Sequence, residues 1–145
     1  MTNSTLRLLL AATLLCGWLG RAAAQDVDAS DMVRGGMQAI QMIDEGKAGE
    51  LWDGASAVAR KHMARDDFLG RIAKSRASLG TARMRTWVAV DRHVLADPDA
   101  EAAGQYISIE YETRFAKKPD ATLRELVSFH LDGDRIWRFS GYVLR

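Results

Sequence analysis

Gln105-Tyr-Ile-Ser-Ile-Glu-Tyr-Glu-Thr-Arg-Phe115 is the stretch on which the fold turns. Ile107, Ile109, Tyr111, Thr113 and Phe115 fall on one side of an extended chain, and Ser108, Glu110, Glu112 and Arg114 on the other. Successive side chains of a strand point to opposite faces, so the alternation predicts an antiparallel strand with one buried and one wet face. Such a strand needs neighbours in a sheet and a second layer over its apolar side.

Both requirements are met by the flanking sequence. Downstream, Lys117-Lys118-Pro119-Asp120 predicts a turn. Leu123 to Leu131 and Ile136 to Leu144 then predict a hairpin around Asp132-Gly133. Its register is open, and a one-residue slip exchanges the faces on which Trp137 and Tyr142 lie. Upstream, Met84 to Leu95 is rich in β-branched and aromatic residues, and Asp97-Pro98-Asp99 breaks it. Before Gly80 the period is helical. Asp28 or Ser30 can cap a first helix carrying Val33, Met37, Ile40 and Ile43, and Asp44-Glu45-Gly46 interrupts it. A second helix from about Lys47 places Ala48, Leu51, Trp52, Ala55, Val58, Ala59 and His62 on one side. A third opens on Asp66-Asp67, closes on Lys74 and Arg76 in accord with the helix dipole, and buries Phe68, Leu69, Ile72, Ala73 and Leu79. Gly80 is its left-handed stop. Three helices preceding a four-stranded antiparallel meander predict an α+β domain, with the N-terminal helices packed on one face of a curved sheet.

The 145 residues are 48% apolar and 27% charged, a globular composition that excludes a disordered or collagen-like chain. Residues 1–24 read separately, as a signal peptide. Arg7 and the amino terminus supply a positive start, Leu8 to Leu19 is an apolar run, and Ala22-Ala23-Ala24 offers the small residues of a cleavage site. As a helix the run spans roughly 18 Å against a hydrocarbon core of about 30 Å, so it predicts an export signal and no stable membrane anchor. Lipidation at Cys16 is disfavoured by Leu15, since a small residue is wanted there. The mature domain is then residues 25–145, in the periplasm or secreted. Cleavage removes Arg7, Arg21 and Cys16, which turns the formal charge of +1 into −1 and leaves no thiol for a disulfide, a nucleophile or a metal.

The search for chemistry mostly excludes. Gly46-Lys47-Ala48-Gly49 lacks the spacing and hydroxyl of a phosphate loop, and there is no Gly-x-Ser-x-Gly elbow or His-Glu-x-x-His. His62, His93 and His130 fall on separate elements, so neither a metal nor another cofactor is expected. Arg71, Lys74, Arg76, Arg83 and Arg85 form a basic stretch, in which Arg76 and Arg83 are the candidate anion ligands because arginine forks suit oxyanions. Aromatics do not interleave with it, and nucleic acid is not an expected partner. Trp52, Trp87, Tyr111, Phe115, Trp137 and Tyr142 can be core, or can line a pocket where partly open. Trp52, Tyr111, Thr113, Trp137 and Tyr142 are the candidate ligand-binding residues. Glu125 lies in an otherwise apolar strand, from which it can pair with Arg138 or Arg124 across the sheet.

Several segments resemble the domain-of-unknown-function 4019 family of short exported bacterial proteins. They are Met42-Ile43-Asp44-Glu45-Gly46 with Leu51-Trp52-Asp53, Arg76-Ala77-Ser78-Leu79-Gly80 with Arg83, and Gly104-Gln105-Tyr106. Tyr111-Glu112-Thr113-Arg114-Phe115 with Lys117-Lys118 follows, then Glu125, then Asp132-Gly133 and Trp137-Arg138-Phe139-Ser140-Gly141-Tyr142. Ser78 and Ala102 depart from the prolines frequent in the family. The resemblance implies a cone-shaped fold similar to nuclear transport factor 2 and cystatins, and no established activity. The expectation is a non-catalytic module that binds a small ligand or partner protein through the concave sheet or a sheet edge, with a homodimer through the sheet. The alternative is a proton-transfer or isomerase-type enzyme, with Glu125 as cavity base and Tyr142 as phenolic donor.

Overall fold

The computed structural model describes residues 27–96 and 101–145. The expected signal peptide and the break at Asp97-Pro98-Asp99 lie outside the described residues. Among the described residues four helices precede four strands: α1 (Ala29–Asp44), α2 (Ala48–Asp53), α3 (Ala57–His62), α4 (Arg65–Arg76), β1 (Ala82–Leu95), β2 (Gly104–Phe115), β3 (Lys118–Leu131) and β4 (Trp137–Leu144). The strands form one open antiparallel sheet in chain order, so β1 and β4 are its edges. This is the α+β architecture read from the sequence.

The alternation of β2 holds: Ile107, Ile109, Tyr111, Thr113 and Phe115 are all buried. Their side of the sheet packs against the helices. Asp28 caps α1 by accepting from the Ser30 amide at 2.8 Å. Met32, Gly36, Ala39, Ile40 and Ile43 are the buried residues of that helix. Gly36 is required by proximity, because a Cβ there would stand 2.3 Å from the Tyr111 hydroxyl oxygen. That hydroxyl donates to the Val33 carbonyl at 2.6 Å, tying β2 to α1. Trp52 of α2 stacks on Phe68 of α4 at 4.6 Å, and Phe68 meets Phe139 of β4 edge-on at 5.7 Å.

Three local expectations are corrected. The single helix expected from Lys47 to His62 is two, α2 and α3. Ser56 divides them: its side chain accepts from the Ala59 amide at 3.1 Å as an N-cap, while its own amide donates to the Phe139 carbonyl at 2.8 Å. A continuous helix would use that amide internally and leave the edge of β4 unmet. The turn expected at Lys117–Asp120 is displaced, since Phe115 pairs with Lys118 and the reversal is Ala116-Lys117. The amides of Ala116 and Lys117 donate to the carbonyls of Thr81 and Leu79, which anchors the turn to the α4–β1 connection. Pro119 falls in the stretch of β3 between Lys118 and Leu123 that has no Cα partner on β2, where its missing N–H does no harm. The last hairpin closes through a three-residue loop, Gly133-Asp134-Arg135. The Arg135 amide donates to the Asp132 carbonyl at 2.8 Å, and Arg135 itself takes φ 65°. That is a type I turn followed by a left-handed residue, rather than the two-residue Asp-Gly turn.

Candidate functional site

The polar centre of the molecule is Glu125, on the helix-facing side of β3. Register places it between Tyr111 of β2 and Leu144 of β4. It is 0% exposed, and four side chains converge on it. Arg85 of β1 donates through Nε to Oε2 at 2.6 Å and through Nη2 to Oε1 at 3.4 Å. The Thr113 hydroxyl donates to Oε2 at 2.5 Å and the Tyr142 hydroxyl to Oε1 at 2.7 Å. Arg76, the last residue of α4, brings Nη1 to 3.6 Å from Oε1.

The two arginines share a second carboxylate at the end of α1. Arg85 Nη1 donates to Asp44 Oδ2 at 2.9 Å, and Arg76 Nη2 donates to Asp44 Oδ1. Two guanidinium groups and two carboxylates make a neutral cluster, the condition under which charge tolerates burial. Desolvation works to lower the Arg85 pKa, but the hydrogen bonds to Asp44 and Glu125 outweigh it and hold the guanidinium above its ordinary value. Burial pushes the Tyr142 phenol well above its ordinary range, with the Glu125 charge adding to the effect. Burial likewise raises Tyr111, to about 12. Arg76 also lies over the rings of Phe115 and Tyr142, at 5.3 and 6.0 Å from their centroids.

This arrangement joins α1, α4, β1, β2, β3 and β4 at one point. Both Glu125 oxygens are occupied by protein donors, and neither of the two best-formed cavities among the described residues is lined by Glu125, so the arrangement offers no open face to a reactant there. A general base needs a lone pair within reach of the proton it removes.

The larger cavity, about 500 Å³, lies beside the cluster. Its apolar wall is Trp52, Met63, Phe68 and Ile72, and its other side is the run from Ser140 to Leu144 of β4. Ser128 and Tyr106, which register places on the opposite face of the sheet from Trp52, also line it, so the groove reaches around the β4 edge. Arg71 and His62 stand at its exposed rim, and among the described residues neither has a polar partner. A second cavity of about 420 Å³ opens between α1, α4 and the start of β1, with Asp44 and Arg76 in its wall.

The candidate ligand-binding residues are thereby separated. Trp52 and Tyr142 line the groove. Thr113 is fully buried against Glu125, and Tyr111 is sealed beneath α1. Trp137 lies at the far end of β4, half-buried, with the Arg92 guanidinium 5.7 Å from its ring centroid. Arg76 is turned inward to Asp44 and Glu125, while Arg83 is exposed, so the two anion-binding candidates do not share a site. Glu125 pairs with neither Arg124 nor Arg138. Arg124 meets Glu110 and Glu112, and Arg138 meets Asp132 and Asp134. Sequence reading missed Asp44 and Arg85 as the partners of Glu125, and missed Met63, Ile72 and the edge of β4 as groove. Arg85 faces Thr113 in the β1–β2 register, yet in the sequence it stands only as one member of a basic stretch.

Among the described residues, no group of three or more His, Cys, Asp or Glu side chains could hold a metal ion. No described helix is long and apolar enough to cross a membrane. The family described as "Protein of unknown function (DUF4019)" matches residues 35–142, and the chain belongs to it. No curated protein and no solved structure matches the chain.

Proposed function

We propose that this member of the DUF4019 family is an exported, periplasmic binding module without catalytic activity, and that it binds through the groove at the β4 edge. The observation that carries the reading is the contrast between two neighbouring features. The buried carboxylate of Glu125 is saturated by Arg85, Thr113 and Tyr142, while the open concavity next to it is walled by Trp52, Met63, Phe68 and Ile72. A groove of about 500 Å³ with an apolar wall and a few polar groups at its rim has the make-up of a binding site. The export half of the reading rests on Arg7, the apolar run Leu8 to Leu19 and the alanines before Gln25.

The homodimer belongs to the opposite edge. Met84, Trp87, Val88, Val94 and Leu95 are all exposed, Trp87 by 53%, on β1, an edge strand of 14 residues. Exposed apolar edges of this length invite pairing with another chain.

Native mass spectrometry of the protein recovered from its own cell envelope tests the whole reading. The expected species begins at Gln25 and carries a non-covalent partner, whether a ligand, another polypeptide or a second copy. A bare monomer that still begins at Met1 contradicts it.

A further inference from the structure

We propose that the groove is a strand acceptor: the open run of β4 takes an extended segment of a partner polypeptide, whose acidic side chain meets Arg71. This rests on the reading of the groove as the binding site and names its occupant.

The phase of the β3–β4 ladder carries the inference. Arg145 and Arg124 exchange both main-chain hydrogen bonds, at 2.7 and 2.9 Å. In an antiparallel pair such doubly bonded positions alternate with positions whose main-chain groups point away. Val143 and Leu126, and Gly141 and Ser128, are therefore the next bonded pairs. The N–H and C=O of Tyr142 and Leu144 point outward, into the groove that Ser140 to Leu144 line. Among the described residues those groups have no protein partner. One step earlier the same edge is already met by main chain, where Ser56 donates to the Phe139 carbonyl. The groove begins where that cover ends.

The occupant follows from what the walls require. An alkyl chain lying along β4 would strip water from the Tyr142 and Leu144 main chain and return no hydrogen bond. An extended peptide pairs the same groups and places alternate side chains on either side of the edge. On one side wait Trp52, Met63, Phe68 and Ile72, which favours an apolar side chain; on the rim, Arg71 and His62 favour an acidic one. Main-chain pairing is indifferent to sequence, so these side-chain contacts select the segment.

The test uses acetylated and amidated peptides in which Val or Leu alternates with Thr around a Glu, added to the isotope-labelled protein, with amide hydrogen exchange followed residue by residue. Exchange at Tyr142 and Leu144 is expected to slow by about tenfold or more at saturation, as for amides newly enclosed in a ladder. N-methylation of the peptide amides that face β4 is expected to abolish the effect. Arg71→Ala is expected to weaken binding about tenfold, the loss of one charge-assisted hydrogen bond. The proposal is overturned if no peptide slows those two amides, or if dodecanoate slows them equally. It is overturned too if they slow with protein concentration alone, which would make a second copy the occupant. Uptake of the uncharged dye N-phenylnaphthylamine separates the two levels. Dye in the groove without peptide protection removes the strand and leaves the groove reading; loss of both removes both.

Discussion

Arg85→Met places the sharpest demand on the Glu125 cluster. The substitution keeps the apolar stem of the side chain while removing three donor nitrogens, Nε and Nη2 directed at Glu125, and Nη1 with Nη2 at Asp44. Glu125 is then left at 0% exposure with Thr113, Tyr142 and the more distant Arg76. Removing one partner of a buried ion pair costs about 3–5 kcal/mol, and the surviving donors bring the expectation to the lower end, about 3 kcal/mol. For a domain of this size that lowers Tm by roughly 10–15 °C. Equilibrium urea unfolding reads it as a fall in midpoint at unchanged slope, which separates lost stability from a changed denatured state. Adding Glu125→Leu to Arg85→Met is expected to recover at least about 1 kcal/mol, because an apolar pair leaves no carboxylate stranded. If Arg85→Met alone stays within about 0.5 kcal/mol of the natural protein, the range of an ordinary surface change, the cluster does not join the sheet to the helices as argued.

Other expectations follow from single contacts. Gly36→Ala drives a methyl group into the Tyr111 hydroxyl, with a cost of about 1–3 kcal/mol in thermal or urea unfolding; Tyr111→Phe in the same background is expected to relieve part of it. Ser56→Ala removes the α3 cap at a buried position and should cost about 1 kcal/mol by the same assay. Because burial raises the folded-state pKa of Tyr111 to about 12 from 10.0, its contribution to stability is complete below pH 10 and is lost as pH climbs through about 12. Phenolate absorbance against pH should show that group titrating late and together with unfolding. The hydrogen bond from Arg138 lowers Asp134 to about 2, so its share of stability is present above pH 4 and fades as pH falls toward 2. A carboxyl carbon titration should find that midpoint, and Arg138→Met should return it toward 3.8.

The parts of the fold that depend on local pattern were legible in the chain. The period-two alternation of Gln105 to Phe115 and the charge order of Asp66 to Arg76 each describe a face or an axis, and the structure keeps both. Places where the sequence misleads are places where a distant partner decides. Nothing near Ser56 signals that its amide is claimed by Phe139, so a helix read as continuous is divided. The site shows the same limit more strongly. Glu125 was visible as a charge in an apolar strand, yet Arg85 lies 40 residues away and reads locally as one of a run of surface cations. Alternation says which face a strand residue occupies; it does not say which helix end will stand above it. Asp44 and Arg76, each the last residue of its helix, complete the cluster only because α1 and α4 end at the same place over the sheet. The groove was invisible for a related reason, since a strand edge left uncovered past Phe139 is a property of packing.

Titration of N-phenylnaphthylamine onto the natural protein, Gly141→Trp and Glu125→Gln, with each variant confirmed as folded, bears most directly on the division between a structural carboxylate and a binding groove. Gly141 lines the groove on the same side of the sheet as Ser128, and an added Cβ there meets nothing within 4 Å, so a bulky side chain can be placed at the groove without displacing the backbone. The expected result is a loss of affinity of about tenfold or more for Gly141→Trp, with Glu125→Gln within about twofold of the natural protein. Unchanged binding by Gly141→Trp together with loss in Glu125→Gln would contradict it.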